Sequence, residues 1–484
     1  MTEHFDVLII GAGLSGIGAA WRLQDQRPGD TYAILEARGA IGGTWDLFRY
    51  PGVRSDSDMY TLSYSFRPWP EPESLASGEK IRRYIEDTAA EAGITPHIRF
   101  NTRVVRADWS TPDARWTVRA ADGSVLTCNF LYGCAGYYSY TEGYQPDFPG
   151  LSDFAGTLVH PQFWPEDLNY TGKRVVVIGS GATAVTLVPA MSADAAHVTM
   201  LQRSPSYLTA LPGRDVIADL ARKALPPKAA NSVARAKNIL LTQGFYQLAR
   251  RRPQLVRRVL RGMAVRYLKN PGYVDEHFKP RYDPWDQRLC VIPSGDLFKV
   301  IAAGRASVVT DHIDTFVPEG IRLTSGTILE ADVVVSATGL SLLPVGGVQL
   351  AVDGDPINIG QHAAYRGLML SGVPNFAYCI GYTNASWTLR ADLSHRYVLK
   401  LLDHMARNRY ATATPTAPAR SGRPLIDLSS GYVQRALDKF PRQGDRDPWI
   451  VRQNYLRDVV ATPRADVTRD MTFTLAPVPE KVAS

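Results

Sequence analysis

The chain has 484 residues, of which 45% are hydrophobic and 21% charged, and its formal net charge is +7. This composition is typical of a globular protein and excludes a disordered or collagen-like chain, and the length predicts two or three domains. The first residues show neither the basic region nor the cleavage site of a secretion signal. Because no apolar run reaches the roughly 18 residues that a membrane helix needs, we expect a cytoplasmic protein.

The cysteines are scattered and predict no disulfide framework. Cys128, Cys134, Cys290 and Cys379 form no CxxC pair and have no metal-ligand spacing. We therefore expect four reduced cysteines in apolar surroundings and no bound metal.

Two segments of the chain share one pattern of apolar strand, glycine turn and small-residue helix. They read FDVLIIGAGLSGIGAAWRL from Phe5 and KRVVVIGSGATAVTLVPAM from Lys173. Each is followed by another apolar strand, TYAILEA in the first case and HVTMLQRS in the second. Strands rich in Val and Ile without alternation indicate parallel strands covered on both faces, so each segment predicts a βαβ unit.

The remaining patterns place other elements around these two units. We expect a helix over 81–92, strands over 103–109 and 115–120, a strand over 331–339 and a helix over 391–405. From Asp215 onward the sequence becomes helical, basic and free of strand patterns, which predicts an insertion in the second unit.

The first glycine turn has GxGxxG spacing through Gly11, Gly13 and Gly16. The first glycine permits a tight turn, the second lets a pyrophosphate approach the backbone, and the third allows the helix to pack closely on the strand. Glu36 ends the next strand, where a carboxylate can accept hydrogen bonds from ribose hydroxyls. The pattern predicts a dinucleotide site.

A second glycine pair, Gly42 and Gly43, follows soon after the ribose acid and is typical of FAD-binding proteins. Val104 begins a strand that reaches the adenine edge in such folds, although an ordinary buried valine explains it equally well. We therefore assign the first unit to FAD and expect contacts from Gly11, Gly13, Ser15, Gly16, Glu36, Gly43, Thr44, Trp45, Asp46, Leu47 and Val104.

The second glycine turn has GxGxxA spacing and is followed by a basic residue. Arg203 and Ser204 end the next strand, where the first unit carries an acid. A carboxylate would repel a 2′-phosphate, whereas a guanidinium and a hydroxyl bind it, so the pattern predicts NADPH rather than NADH. A surface arginine in a turn is the alternative. We expect contacts from Gly179, Ser180, Gly181, Ala182, Thr183, Ala184, Val185, Arg203 and Ser204.

A linker motif between the two units carries a family resemblance. FAGTLVHPQFWP fits the pattern FxGxxxHxxxWP through Phe154, Gly156, His160, Trp164 and Pro165. The chain resembles the Baeyer–Villiger monooxygenases over nearly its whole length; the sister flavin-containing monooxygenases lack the Trp-Pro pair. Within the family it is similar to the ethionamide-activating branch of mycobacteria, through segments that include HPQFWPEDL, PWDQRLC and GYTNASWTL.

The resemblance implies roles for several residues. His160 would sit in the hinge between the domains and transmit NADP(H) binding, although a purely structural histidine is almost as good an interpretation. Arg54, Ser55 and Asp56 would lie where nicotinamide meets flavin, so that Asp56 serves both cofactor sites. Arg288 resembles the catalytic arginine over the isoalloxazine ring, held by a catalytic Asp56. Gln287 replaces a lysine of many members, which leaves NADPH preference mainly to Arg203 and Ser204.

We therefore expect an α/β fold with two Rossmann-like dinucleotide-binding domains and a helical insertion. The FAD-binding domain is discontinuous and spans 1–150 and 341–484. The NADP-binding domain spans 151–214 and 286–340, and the insertion spans 215–285.

The resemblance also implies a reaction. Reduced flavin adds O₂ to form a C4a-peroxyflavin, which inserts one oxygen beside a ketone carbonyl to give an ester or lactone, or oxygenates a thioether or thioamide sulfur. A fixed guanidinium would stabilise the developing negative charge. The alternative is an N- or S-oxygenating monooxygenase without carbonyl insertion, against which Trp164, Pro165 and Arg288 argue. A disulfide reductase would need a redox cysteine pair beside the flavin, which this sequence lacks.

The expected partners are a small ketone or organosulfur substrate and O₂, with no nucleic acid. The basic stretch Arg250–Arg266 is most simply a helix packed on the core with a solvated rim. Weak peripheral contact with the inner face of a membrane is the less favoured interpretation.

Overall fold

The computed structural model describes residues 2–416 and 422–475. Its largest sheet is built around three parallel strands, in which Glu3–Ile10 lies between Tyr32–Leu35 and Val125–Gly133. The sheet is completed, within the described residues, by Ile98–Arg99, Val104–Ser110, Arg115–Ala120, Gln349–Val352, Asp355–Pro356 and Phe376–Tyr378. The predicted strand 115–120 is thus confirmed in its bounds, and the predicted strand 103–109 is shifted by one residue.

The second sheet is parallel throughout. Its strands lie in the order Ala306–Thr310, His197–Gln202, Arg174–Ile178, Val333–Ser336 and Thr157–Val159. Both βαβ units predicted from the sequence are therefore present, each in its own sheet. The strand predicted over 331–339 is shorter because the chain turns beyond Ser336, and Gly339 has a φ of +123°.

Two short strands carry the chain between the sheets. Tyr138–Gly143 leaves the first sheet and pairs in antiparallel fashion with Leu340–Leu342, which returns to it. Smaller sheets pair Leu208–Leu211 with Cys290–Pro293, Ala364–Tyr365 with Met369–Leu370, Tyr410–Pro415 with Met471–Leu475, and Ile313–Val317 with Gly320–Leu323 and Ile328–Glu330.

Strands from the C-terminal part of the chain join the first sheet. Gln349–Val352 pairs with Val104–Ser110, and Phe376–Tyr378 pairs with Val125–Gly133. This is the arrangement expected of a discontinuous first domain, whose bounds stay a prediction. Within its predicted second part, residues 417–421 and 476–484 lie outside the described residues.

Helices cover both sheets. Leu14–Gln26 and Trp387–Asn408 pack on each other against the first sheet, and Ala182–Met191 and Asp296–Ala302 pack in the second unit. The helix predicted over 81–92 spans Gly78–Glu91 and begins earlier because the Ser77 hydroxyl caps it by accepting from the Lys80 N–H. Four short helices are Thr44–Leu47, Met59–Leu62, Gly431–Gln434 and Tyr455–Ala461. The remaining helices belong to the insertion.

The predicted insertion is helical. It consists of Val216–Ala224, Pro227–Arg251, Pro253–Leu268 and Pro271–His277, and it contains no strand in its described residues 215–285. Among the residues that the structure describes, no helix is long and apolar enough to cross a bilayer. All four cysteines are buried, and none forms a disulfide.

Candidate active site

The first glycine turn has the close contacts that the GxGxxG pattern predicts. Gly11 has a φ of +101°, and a Cβ added there would lie 2.9 Å from the Cys134 carbonyl oxygen. A Cβ added at Gly16 would lie 1.8 Å from the Gly11 carbonyl oxygen, so the helix packs on the turn without room for any side chain. Gly13 precedes the helix that begins at Leu14 and lines a large cavity.

Glu36 lies beside this turn and is only 4% exposed. Its carboxylate accepts from the Ala12 N–H at 2.7 Å and from the Arg38 N–H at 2.9 Å. Burial raises the pKa of Glu36, and the two N–H donors oppose that rise. Since each carboxylate oxygen can accept a second hydrogen bond, Glu36 keeps acceptor capacity toward the cavity that it lines.

The glycine pair Gly42 and Gly43 lies against the first turn. The Gly42 N–H donates to the Ala12 carbonyl oxygen at 3.1 Å, and both glycines have positive φ, +132° and +58°. Thr44 and Trp45 then line the cavity. This loop therefore adds a second close approach of backbone to the same space.

Two of the residues assigned to FAD by the sequence lie behind the cavity wall. Asp46 is buried and forms ion pairs with Arg38 and Arg49, and Leu47 packs in a hydrophobic core. Neither belongs to the cavity lining, and Gly16, also assigned to FAD, is absent from it as well. Val104, in contrast, lines the cavity at the start of its strand.

The second glycine turn faces the same cavity. Gly179 has a φ of +136°, and a Cβ added there would lie 2.4 Å from the Ala337 carbonyl oxygen. A Cβ added at Gly181 would meet nothing within 4 Å, which leaves open space over the helix that begins at Ala182. Ser180 and Thr183 also line the cavity, whereas Ala184 and Val185 are buried behind it.

Arg203 and Ser204 follow the strand His197–Gln202 and line the outer part of the cavity. Both residues are exposed, and Arg203 forms no ion pair within the described part of the chain. A guanidinium without an acidic partner is available to an anionic group.

Both glycine turns open onto one cavity of about 1070 Å³. Its walls come from the first sheet, from the second sheet and from residues 430–435 of the C-terminal part. Two extended dinucleotides bound at the two turns would meet inside this single space.

Arg288 and Asp56 form the charged centre of the cavity. The Arg288 guanidinium donates to the two Asp56 carboxylate oxygens, from Nε and from Nη2, with both distances 2.9 Å. The charge of Asp56 raises the pKa of Arg288 further above its already high ordinary value. Burial raises the pKa of the nearby hydroxyls of Tyr138 and Tyr432, so these groups stay neutral beside the cation.

Arg54 and Ser55 hold the loop that carries Asp56. Arg54 Nη1 donates to Asp296 Oδ2 at 2.5 Å, while its buried Nη2 has no hydrogen-bond partner among the described residues. Ser55 is 4% exposed, and its hydroxyl donates to the Ser57 carbonyl oxygen at 2.9 Å. Both residues line the cavity, so one guanidinium nitrogen of Arg54 remains for a ligand.

A family model described as flavin-binding monooxygenase-like matches residues 6–214. The FAD-containing monooxygenase EthA of Mycobacterium tuberculosis is 50% identical over 99% of both chains. The chain belongs to the family of FAD-containing monooxygenases.

Solved structures share the fold of this monooxygenase. An oxidised steroid monooxygenase bound to NADP aligns with a TM-score of 0.79 at 22% identity, covering 98% of this chain and 100% of that one. A cyclohexanone monooxygenase bound to ε-caprolactone aligns with a TM-score of 0.78 at 21% identity and the same coverage.

These comparisons confirm several predictions made from the sequence. The α/β fold class, the monooxygenase family, its mycobacterial resemblance and FAD as cofactor are confirmed. The fold is one that holds NADP in the solved steroid monooxygenase.

The linker motif lies at the crossing between the two sheets of the monooxygenase and outside the cavity lining. His160 follows the strand Thr157–Val159, and its Nδ1 accepts from the Gln162 N–H at 3.2 Å. A Cβ added at Gly143 would lie 2.2 Å from the His160 ring, which therefore packs directly on the crossover strand. Burial lowers the pKa of His160 and favours its neutral form.

The other motif residues pack around this crossing. A Cβ added at Gly156 would lie 2.4 Å from the Phe154 ring, which contacts Phe316 edge-on. Trp164 packs partly buried against the core of the second sheet, and Pro165 follows it. The motif thus fixes the path of the linker, and its role in signalling stays a prediction.

Some cavity residues, and one contact between two others, escaped sequence reasoning. The Trp387 indole N–H donates to the Ser15 hydroxyl at 2.7 Å. This hydrogen bond connects the helix Trp387–Asn408 to the first glycine turn. Tyr432 and Arg435 reach the cavity from a segment without a motif, and the Arg435 guanidinium stacks 3.3 Å from the Tyr144 ring centre. The tyrosine-rich run YYSYTEGY was the one available signal for Tyr138 and its neighbours.

Proposed function

We propose that this monooxygenase uses NADPH and O₂ to insert one oxygen atom beside a ketone carbonyl, which gives an ester or lactone. We propose that it also oxygenates thioether and thioamide sulfur. The observation that carries the proposal is the Arg288 guanidinium, held by Asp56 inside the cavity onto which both glycine turns open.

The residues of the first turn fit FAD. The pyrophosphate would approach the backbone at Gly11, Gly13, Ser15 and Gly43. Glu36 would accept hydrogen bonds from the ribose hydroxyls, and Val104 would flank the adenine. Gly16 serves the turn through packing, and Asp46 serves it through its ion pairs. Bound FAD supplies hydride acceptance from NADPH and activation of O₂.

The residues of the second turn fit NADPH. A pyrophosphate would bind at the N-terminus of the helix Ala182–Met191. The residues around that position are Gly179, Ser180, Gly181, Ala182 and Thr183. Arg203 would bind the 2′-phosphate with a charge-assisted hydrogen bond, assisted by the Ser204 hydroxyl. Gln287 also lines the cavity, and an amide adds no charge there, so Arg203 decides coenzyme choice.

Arg288 would stabilise negative charge as oxygen is transferred. A guanidinium stays protonated, and in this cavity the carboxylate of Asp56 favours that state further. Asp56 holds the guanidinium plane through both carboxylate oxygens, so the charge is fixed before the reaction begins. Arg54 and Ser55 position this loop where nicotinamide and flavin would meet.

The cavity suits an uncharged organic substrate. Its aromatic and apolar walls include Tyr138, Tyr432, Trp387 and Leu343. Binding of a ketone or a sulfur compound would rely on apolar contact, with the Arg288 guanidinium as a strong polar group in the same cavity.

Product analysis tests the proposal. Purified enzyme, NADPH and ¹⁸O₂ are supplied with a panel of cyclic ketones, linear ketones, thioethers and thioamides. We expect ester or lactone carrying one ¹⁸O atom from at least one ketone, and sulfoxide from the sulfur compounds. Sulfoxide or N-oxide without any ester across the panel would favour the alternative, an N- or S-oxygenating monooxygenase.

We further propose that the enzyme acts in the cytoplasm. Its four cysteines are buried and free of disulfides, which suits a reducing compartment.

A further inference from the structure

The helical insertion concentrates the positive charge of the molecule. Residues 216–269 contain 13 lysines and arginines but a single acidic residue, Asp219. Because the whole chain carries a net charge of only +7, the remainder of the molecule is net negative. Positive charge is therefore segregated onto one structural unit rather than spread over the surface.

The same helices expose large apolar side chains. Val216 is 69% exposed, and Leu220, Leu240, Leu241 and Val259 are each 58–61% exposed. Ten of the 17 exposed large hydrophobic residues within the described ranges belong to residues 216–259. A cluster of this kind on a globular protein marks an interaction site.

The exposed residues recur on the outward faces of two long helices. In Pro227–Arg251 they are Val233, Leu240, Leu241 and Leu248, which fall on one side at helical spacing. In Pro253–Leu268 the exposed Leu255 and Val259 alternate with the buried Val256, Leu260 and Ala264. The inner face of each helix is thus packed, and apolar residues remain on the outer face.

Cations without acidic partners surround these apolar residues. Arg250, Arg257 and Arg261 form ion pairs with aspartates of the same insertion or its flank. In contrast, seven exposed basic residues have no ion-pair partner among residues 2–416 and 422–475, namely Lys223, Lys228, Arg251, Arg252, Arg258, Arg266 and Lys269. Their charges are available to an anionic partner.

We propose that the insertion docks the enzyme peripherally on an anionic phospholipid surface. An amphipathic helix can bury its apolar side chains at the boundary of headgroups and acyl chains while its arginines reach anionic headgroups. Each basic residue near such a surface strengthens binding about fivefold. A second copy of the chain fits poorly, because two insertions would bring like charges together. A nucleic acid leaves the exposed leucines without a partner.

This docking would bring the cavity close to the bilayer. Ile239, on the inner side of the helix Pro227–Arg251, packs with Tyr382, which lines the cavity. Ala249, Val256 and Leu260 pack with Leu289, the neighbour of Arg288. One layer of helices thus separates the outer apolar face from the cavity. The docking proposal does not depend on the proposed reaction.

Co-sedimentation of the FAD-loaded enzyme with vesicles tests the proposal. One set of vesicles is phosphatidylcholine, and the other is an equal mixture of phosphatidylcholine and phosphatidylglycerol. We expect binding to the mixed vesicles at least about tenfold stronger than to phosphatidylcholine, and a steep loss at high salt because the attraction is electrostatic. Equal binding to both vesicles, or no binding to either, would overturn it.

Paired variants identify the surface. R251Q/R258Q removes two unpaired charges, and L241Q/V259Q removes two exposed apolar side chains. We expect each pair to weaken binding to mixed vesicles by about tenfold or more. Two variants serve as controls. R407Q replaces an exposed arginine, and I328Q replaces an isoleucine that is 41% exposed on the strand Ile328–Glu330, outside the insertion. All variants should keep bound FAD, which shows that they are folded.

Two further outcomes would also overturn the proposal. One is loss of binding in the controls equal to that in the paired variants. The other is a partner of another class: salt-sensitive binding of duplex DNA tighter than that of the mixed vesicles, or self-association in sedimentation velocity that L241Q/V259Q abolishes while vesicle binding is unchanged.

Discussion

Arg288 donates two hydrogen bonds of 2.9 Å to Asp56, and the pair joins positions 232 residues apart in the chain. Asp56 lies in the loop between the helices Thr44–Leu47 and Met59–Leu62, and Arg288 precedes the strand Cys290–Pro293 that follows the insertion. The cavity centre is therefore assembled by tertiary folding, with the orientation of the guanidinium fixed by both carboxylate oxygens.

We expect coenzyme choice to depend on Arg203. In R203A we expect the KM for NADPH to rise about tenfold to a hundredfold, the loss that a charge-assisted hydrogen bond of about 1.5–3 kcal/mol would give. The KM for NADH should change little, since NADH has no 2′-phosphate. Steady-state kinetics with both coenzymes provide the measurement, with R305A as an exposed control. Equal rises for the two coenzymes would remove Arg203 from phosphate binding.

We expect FAD retention to depend on the lack of a side chain at Gly16. In G16A the added Cβ would meet the Gly11 carbonyl oxygen, so the turn must open, at about 1–3 kcal/mol or more. We expect a lower ratio of bound FAD to protein and a lower melting temperature that added FAD does not restore. Gly29 is the matched control because a Cβ there meets nothing within 4 Å, and G29A should bind FAD normally. Full FAD content in G16A would contradict the assignment.

Local sequence spacing predicts some of the site residues. It does not predict the contacts that form between residues far apart in the chain. The glycine turns, Glu36 and Arg203 occupy fixed places in a βαβ unit, so a short stretch of sequence determines their positions. The sequence predicts contact of Asp46 with FAD, but a buried acid in GGTWDL has the same sequence pattern whether it contacts cofactor or pairs with Arg38 and Arg49. The Trp387–Ser15 hydrogen bond joins residues 372 positions apart, and no periodicity predicts it.

A buried histidine should make the stability depend on pH. His395 is 3% exposed, its Nδ1 lies 2.7 Å from the Tyr132 hydroxyl, and burial lowers its pKa to about 4. The unfolded chain, with an ordinary pKa of about 6.5, therefore binds the proton more readily than the folded chain does. Stability is fully present above that value and decreases as the pH falls toward the folded pKa, by about 2 kcal/mol between pH 7 and pH 5.

Urea unfolding of wild type and H395Q at pH 7 and pH 5 checks this prediction. The glutamine can still hydrogen-bond to Tyr132 but does not titrate, so the loss of stability between the two pH values should be smaller in H395Q by about 2 kcal/mol. The exposed His4 provides the control, and H4Q should keep the wild-type difference. An identical pH dependence in wild type and H395Q would exclude His395 as the cause.

We propose that Arg288 serves oxygen transfer rather than hydride transfer. The most direct measurement is the amount of ester formed per NADPH consumed, in wild type, R288A, R288K and the exposed control R281A.

Under anaerobic conditions we expect NADPH to reduce the flavin of R288A, because the second glycine turn and Arg203 still bind the coenzyme. In air, R288A should consume NADPH and release hydrogen peroxide, with ester formation about 100- to 1000-fold slower, the usual effect of removing one fixed electrostatic donor. R288K should recover little, since an ammonium lacks the planar fork that Asp56 holds. Ester formation by R288A at the wild-type yield per NADPH would contradict the account.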